Sequence, residues 1–366
     1  MVDLLDPKFT ALAAYASVES ERAQIILSGI LERNSDISFD DLLDARKTSE
    51  VDMMLVKARI DGKPIAFPKG HDTNILKMSI ARLLENEGFV AHIGEWDSSG
   101  GDIMQAYAVL FGKRPIITIC ENQKYLDHPW ITFHSHNVVG SPEKFEEEFR
   151  EAVNFIRRKS ESKIQKRSEW MKKFLDLPVK PLGENVSLYL AHATTHMAEV
   201  RELQKEIEKI TGEKIKLQNP YYELPGTDKD REIEEKRKAG EKLELDDDFD
   251  EFVVEKDVEK GIVDSDGIVV FLNRSPLTIG REMELVYGML SGKQVMFGIC
   301  TDPALYHHPL IRAHLDDVEF YDENKSMKEI AQDAAEKVLK LIDKRKSEGA
   351  SKRVENYRKM IRERLS

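Results

Sequence analysis

The chain has 366 residues, 41% of them hydrophobic and 33% charged, with a formal net charge of −12. That is ordinary for a globular protein of two-domain length. No apolar run approaches the roughly 18 residues of a membrane span, and the negative charge excludes a general binder of nucleic-acid polymers, which carries a basic face. Two cysteines, Cys120 and Cys300, form neither a disulfide framework nor a zinc motif. The amino terminus, MVDLLDPKFTALAAY, carries acids where an export signal carries lysines, so the expected location is cytoplasmic.

Along the chain, residues from Val2 to Arg59 read as largely helical. PKGHDTN, from Pro68, lacks a full phosphate-loop pattern. FVAHI, Phe89 to Ile93, reads as a strand in register with the later VVFLN, and GEWDSSGGD follows as a loop whose Trp96 either stacks on a planar ligand or packs in the core. From Gly100 a segment recurs at Gly280. Laid together without a gap, residues 100–138 and 280–318 share twelve identities over thirty-nine columns. They include Gly100/Gly280, Tyr107/Tyr287, Gly112/Gly292, Lys113/Lys293, Cys120/Cys300, His128/His308 and His134/His314. QKRSEWMKKFLDL from Gln165 is echoed by SKRVENYRKMIRERL from Ser351. The chain therefore reads as two copies of one unit, 1–178 and 179–366, joined near LPVKPLGEN, which has the prolines and glycine of a linker.

In the second copy VSLYLAHA reads as a strand, HMAEVRELQKEIEKITG as a helix ending at Gly212, and EKIKLQNP as a strand. The acidic run from Arg231 to Phe252 reads as a solvated segment. VVEKDVEKGIVDSD is expected to be helical, GIVVFLN a strand buried on both faces, Ile279 to Leu290 a helix, KQVMFGIC a strand, and SMKEIAQDAAEKVLKLIDKRK an amphipathic helix. Alternating strands and helices predict α/β units, each a parallel flavodoxin- or Rossmann-like sheet with helices on both faces. Ligands of such sheets sit beyond the strands' carboxyl ends, so Asn273 to Gly280 is placed where a ligand belongs. On the helix after it, Ile279, Met283, Val286, Tyr287 and Leu290 form the packing stripe, Glu284 lies at its flank and Glu282 points away. Thr278 or Ser275 is placed to cap the helix, where backbone N–H groups favour an anion. From pattern alone both glutamates read as surface charge. The histidines His128, His134, His307, His308 and His314 lack paired ligand spacing, so no metal is expected and turns are their reading.

LYLAHA, EKDVEKGIVDSDGIVVFL and TIGREMELVYGMLSGKQV, in that order, resemble the nucleoside 2-deoxyribosyltransferases and the related deoxynucleoside monophosphate N-glycosidases; the resemblance covers about Asn185 to Asp316. It implies Glu284 as nucleophile, Asp257 as the active-site aspartate and Tyr189 as the strand tyrosine near the sugar, with no cofactor. Thr278 falls where the transferases carry an aspartate and the monophosphate hydrolases a serine; Asp266 matches a structural aspartate. Val286 replaces the family's glycine and His192 its small residue after the first strand. Arg274, Ser275, Thr278, Gly280 and Arg281, with His192 and Asn273, make up the expected substrate contacts, and the arginines suit a 5′-phosphate unless they sit on surface loops. The implied reaction is cleavage or base exchange at the N-glycosidic bond of a (deoxy)nucleoside or its 5′-monophosphate; a non-catalytic nucleotide sensor is the other reading. In the first copy Met104 stands in the column of Glu284 and Ser98 in that of Thr278, and neither Asp97, Asp102 nor Gln105 takes the nucleophile's place. That half is expected to be catalytically silent and to act as a built-in partner in an intrachain pseudo-dimer, since the transferases borrow pocket residues from a neighbouring subunit. Further homo-oligomerisation stays open, and no membrane or nucleic-acid partner is expected.

Overall fold

The computed structural model describes residues 9–14, 23–28, 37–41, 71–94, 99–113, 115–140, 163–193, 196–212, 214–224, 226–228, 232–233, 235–236, 248–273, 279–322, 324–349 and 351–366. Two all-parallel five-stranded sheets are present. The first holds β1 (Phe9–Ala14), β2 (Ile37–Asp41), β3 (Gly88–Ile93), β4 (Ile116–Cys120) and β5 (Asn137–Val139) in the order β2-β1-β3-β4-β5. The second holds β6 (Val186–Ala191), β7 (Ile215–Gln218), β8 (Gly267–Leu272), β9 (Val295–Cys300) and β10 (Asp317–Phe320) in the order β7-β6-β8-β9-β10. Both are the 2-1-3-4-5 arrangement of flavodoxin-like proteins. The expected α/β fold of two tandem units is what the chain forms.

The helices of the first sheet are α1 (His71–Glu85), α2 (Ser99–Leu110), α3 (Pro129–Phe133) and α4 (Lys163–Lys173). Those of the second are α5 (Met197–Thr211), α6 (Phe249–Glu255), α7 (Arg281–Leu290), α8 (Pro303–Tyr306), α9 (Pro309–His314), α10 (Met327–Glu348) and α11 (Lys352–Leu365). Strand alternation sorts them into layers. Leu188 and Leu190 of β6 join Val200, Leu203 and Ile207 of α5 and Ala334 and Val338 of α10 on the outer face. Tyr189 and Ala191, on the opposite side of the same strand, face α7. The inner faces of both sheets, with α2 and α7 between them, belong to one continuous apolar core.

The segment expected to be helical, Val2 to Arg59, instead contributes β1 and β2, with a helical piece at 23–28 between them. FTALAA carries three alanines, whose local preference is helical. Ala11 and Ala13 bury against one layer and Leu12 and Ala14 against the other, and that two-sided burial decides for strand. The register of FVAHI is also corrected by one residue. Phe89 pairs with Ile116 and Ile268 with Met296. Because 296 − 116 = 180, Phe89 corresponds to Ile268, and the spacing from this strand to the matched glycine is one residue longer before Gly280 than before Gly100.

The duplicated residues build the same features twice. Gly112 and Gly292 turn the chain after α2 and α7 with φ of 64° and 76°, which a residue with a Cβ adopts only under strain. The lysine after each ties down the turn that leads into the central strand. Lys113 Nζ donates to the carbonyls of Leu84 and Asn86 at 3.0 and 2.5 Å, and Lys293 Nζ to those of Val263 and Ser265 at 2.7 and 2.6 Å. Cys120 and Cys300 are buried and share no disulfide, each thiol donating to a backbone carbonyl two residues on, as small core residues do.

Tyr107 and Tyr287 lie in the interface between the units. Tyr287 meets His134 Nε2 at 2.8 Å, and Tyr107 meets His314 Nε2 at 2.7 Å. Each histidine's Nδ1 faces a backbone carbonyl, Trp130 O at 2.8 Å and Leu310 O at 2.6 Å. A carbonyl only accepts, so Nδ1 carries the proton and Nε2 accepts from the tyrosine. Position i meets j and j meets i, the signature of a two-fold contact, here closed within one chain.

Candidate active site

In a 2-1-3-4-5 sheet the strand order reverses between the first and third strands, here β6 and β8, and the crevice outside their carboxyl ends is the ligand position. Tyr189 stands on β6, and α7, which leaves the end of β8, carries Glu284 in its first turn. The two meet there: Tyr189 Oη donates to Glu284 Oε1 at 2.6 Å, with the tyrosine fully buried and the glutamate 5% exposed. A short bond of this kind is charge-assisted when the carboxyl is ionised.

Asp257 completes the cluster from a π-type helical stretch, Lys256–Val263, that continues α6. Such widened turns recur at functional sites because they re-aim one side chain without breaking the helix. Lys256 Nζ lies 3.3 Å from Asp257 Oδ1. On the same stretch Gly261 lets the Tyr189 ring approach: a Cβ there would sit 2.5 Å from Tyr189 Cε2. Burial, and then the charge of Asp257, push the Glu284 carboxyl well above the usual range, while the Tyr189 hydroxyl pulls the other way. Burial and then the Glu284 and Asp257 charges keep the Tyr189 phenol protonated far above its ordinary value. The result is a carboxyl with raised proton affinity, held by a permanent donor and set against a second carboxylate.

Glu282, expected to be solvated, is fully buried. Its Oε1 accepts from Arg281 Nε at 3.1 Å, from Arg281 Nη2, and from Ser99 Oγ of the first unit at 3.1 Å. A mid-charge turn on a surface helix would be wet; this one is roofed by α2. Arg281, expected at a phosphate, is likewise fully buried. Its Nη1 donates to Phe271 O at 3.0 Å and to Asn273 Oδ1 at 3.3 Å, so the guanidinium staples the end of β8 to the start of α7. The expected phosphate contact of Arg281 is therefore replaced by internal partners on Glu282, Phe271 O and Asn273, while Asn273 uses its Oδ1 to accept from the guanidinium. Gly280 precedes α7 with φ 99°, and a Cβ on it would lie 2.8 Å from the Trp130 ring of the first unit. Arg274, Ser275 and Thr278 lie outside the described residues, as do Trp96, Asp97 and Ser98.

His192, just beyond β6, is buried and its imidazole is held neutral, mainly by that burial. Its Nδ1 lies 3.0 Å from Ala193 O and its Nε2 3.2 Å from Asn219 Oδ1, and the Tyr221 ring is centred 5.2 Å away. Asn219 and Tyr221 were not singled out from sequence; their place just past the carboxyl end of β7 is the signal that marks them.

In the first unit Leu12 pairs with Phe89 as Tyr189 pairs with Ile268, so Leu12 is the counterpart of Tyr189 and Met104 that of Glu284. Both are fully buried in the inner core. Asp102 is buried on α2, and Gln105 is engaged with Thr118 Oγ1, Ser135 Oγ and His134 O. His128 and His308 open α3 and α9, each followed by proline at the first helical position. No group of three or more His, Cys, Asp or Glu suited to a metal occurs among the described residues, and none of their helices is long and apolar enough to cross a membrane. Among known proteins, no family model and no curated protein matches the chain.

Proposed function

We propose that the second unit cleaves, or transfers at, the N-glycosidic bond of a (deoxy)nucleoside or its 5′-monophosphate, with Glu284 as nucleophile. The observation that carries this is the pairing of a buried Glu284 with Tyr189 at 2.6 Å beside Asp257, at the crevice of the β6/β8 switch. Breaking the bond builds positive character at C1′, which a carboxylate stabilises and traps. The ionised Glu284 oxygen forms the bond to C1′ while the base leaves with the bonding electron pair and takes a proton from Asp257 or solvent water. Water or a second base then attacks C1′, gives up its proton to the same acceptor, and frees Glu284 as the carboxylate. Tyr189 holds the carboxylate oxygen in place and stays protonated throughout. Asp257 is assigned to the sugar or the leaving base, its charge adjusting the proton affinity of Glu284. Because Arg281 is committed to Glu282 and the loop, a 5′-phosphate contact rests on Arg274 and Thr278. The first unit, with Leu12 and Met104 in place of the pair, is assigned the role of a silent partner.

The test is base release over a panel of nucleosides and their monophosphates. Release by the wild type, abolished in Glu284→Gln, is expected. Tight binding without release would favour a nucleotide sensor, and neither binding nor release would end the proposal.

A further inference from the structure

We propose that Ser99 of the first unit is a positioning residue for Glu284, acting through Glu282; this rests on the reading of Glu284 as nucleophile. Ser99 is the first residue of α2 and half-buried. Its Oγ donates across the interface to Glu282 Oε1 at 3.1 Å, the same oxygen that accepts from Arg281 Nε. Arg281 in turn holds Phe271 O and Asn273 Oδ1 at the end of β8. A continuous strap therefore runs from the first unit, through a fully buried ion pair, to both ends of the loop that delivers the nucleophile. A buried ion pair keeps its geometry only while its other hydrogen-bonding positions are filled, and Ser99 fills one of them.

The strap reaches the chemistry through charge. The groups acting on Glu284 are Tyr189 from β6, Asp257 from the π-type stretch, whose own carboxylate pairs with Lys256, and Arg281 and Glu282 from the same helix. Of the last two, Glu282 raises the proton affinity of Glu284 and Arg281 lowers it. A hydroxyl donated to Glu282 offsets part of that carboxylate's field, so losing it leaves Glu284 harder to ionise. The column of Ser99 in the second unit is Ile279 and that of Arg281 in the first is Gly101, neither of which has a side-chain donor. The silent unit adjusts the active one.

The experiment uses the full chain and two readouts. One is kcat and KM of base release against pH. The other, independent of turnover, is the infrared band of the protonated Glu284 carboxyl, assigned by its loss in Glu284→Gln and titrated against pH. Ser99→Ala is expected to lower kcat about threefold to tenfold at pH 7 with KM unchanged, the effect expected of losing one hydrogen bond to a charged group that acts indirectly. It should also shift the Glu284 band and the acid limb of kcat to higher pH. Ser99→Thr, which restores the hydroxyl, should return both. Ser99→Asp, a like charge beside Glu282 at a position open enough to accept it, should shift them further. An unmoved Glu284 titration in Ser99→Ala and Ser99→Asp overturns the strap even if the protein is an active glycosidase. A titration that moves in a wild type releasing no base upholds the coupling and overturns the glycosidase reading.

Discussion

The two units share a strand order and an interface yet differ at the one place where chemistry is proposed. Tyr107 and Tyr287, His134 and His314, Lys113 and Lys293, and Gly112 and Gly292 do the same work in each half. Where the second unit has Tyr189 and Glu284, the first has Leu12 and Met104, so both members of the polar pair have apolar counterparts. A lone buried carboxyl or phenol would be costly, and the replacement of the pair as a whole is what burial without a partner demands. Identity between copies therefore marks scaffold here, and difference marks the site.

Glu284→Gln would sharpen that contrast most: under the proposed function, base release should fall about a thousandfold or more, since the amide cannot act as the nucleophile. The same variant has a stability signature. A carboxyl whose folded proton affinity is raised is favourable while protonated, and its contribution is lost as pH rises from the ordinary glutamate range through the folded value. Thermal melting of Glu284→Gln should thus exceed wild type at neutral pH and converge with it below about pH 4.5, the unperturbed value.

Met104→Glu puts an isolated carboxyl into the first unit's core, opposite Leu12 rather than a phenol. Denaturant titration should show a loss of about 3 kcal/mol, and adding Leu12→Tyr should recover part of it. A free tolerance of Met104→Glu would break the claim that the first unit has lost its polar pair as a unit. The matched glycines Gly280 and Gly100 separate the halves next. Gly280→Ala faces both the left-handed φ and the Trp130 ring and should cost about 2 kcal/mol. Gly100→Ala meets only His308 and Leu310 at 3.4 Å and should change stability by less than about 0.5 kcal/mol.

The interface should treat the halves alike. Tyr287→Phe and Tyr107→Phe each strand a buried imidazole acceptor and should cost about 1–2 kcal/mol, the second also losing the bond to Tyr357 at 2.8 Å. Burial lowers His134 to about 3 and His314 to about 4. Folded values below the unfolded one give stability that is present above pH 6.5 and lost as pH falls towards 4. Thermal melts between pH 7 and pH 3.5 should show that decline, and it should weaken in His314→Gln.

Much of the second unit was legible because each element carried its own signal: an unbroken apolar run in GIVVFLN, a helical stripe closed by Gly212 at φ 57°, an amphipathic period in SMKEIAQDAAEKVLKLIDKRK. The duplication was legible too, since twelve identities need no folding to be seen. β1 and β2 were not, because alanine-rich FTALAA becomes a strand only when β2 and β3 flank it and both its faces are covered. The carboxylates were misjudged for the same reason. Periodicity tells which side of a helix meets its own sheet, and by that measure Glu282 and Arg281 belonged in water. Only the tertiary structure lays α2 of the first unit over them, buries their charges and supplies Ser99, a partner 183 residues away in the chain. Local sequence set the elements and their repetition, and the motif resemblance grouped Glu284 with Tyr189 and Asp257; the burial that turns Glu284 from surface charge into a poised carboxyl, and its 2.6 Å bond to Tyr189, come from packing across the whole chain, which a one-dimensional pattern does not contain.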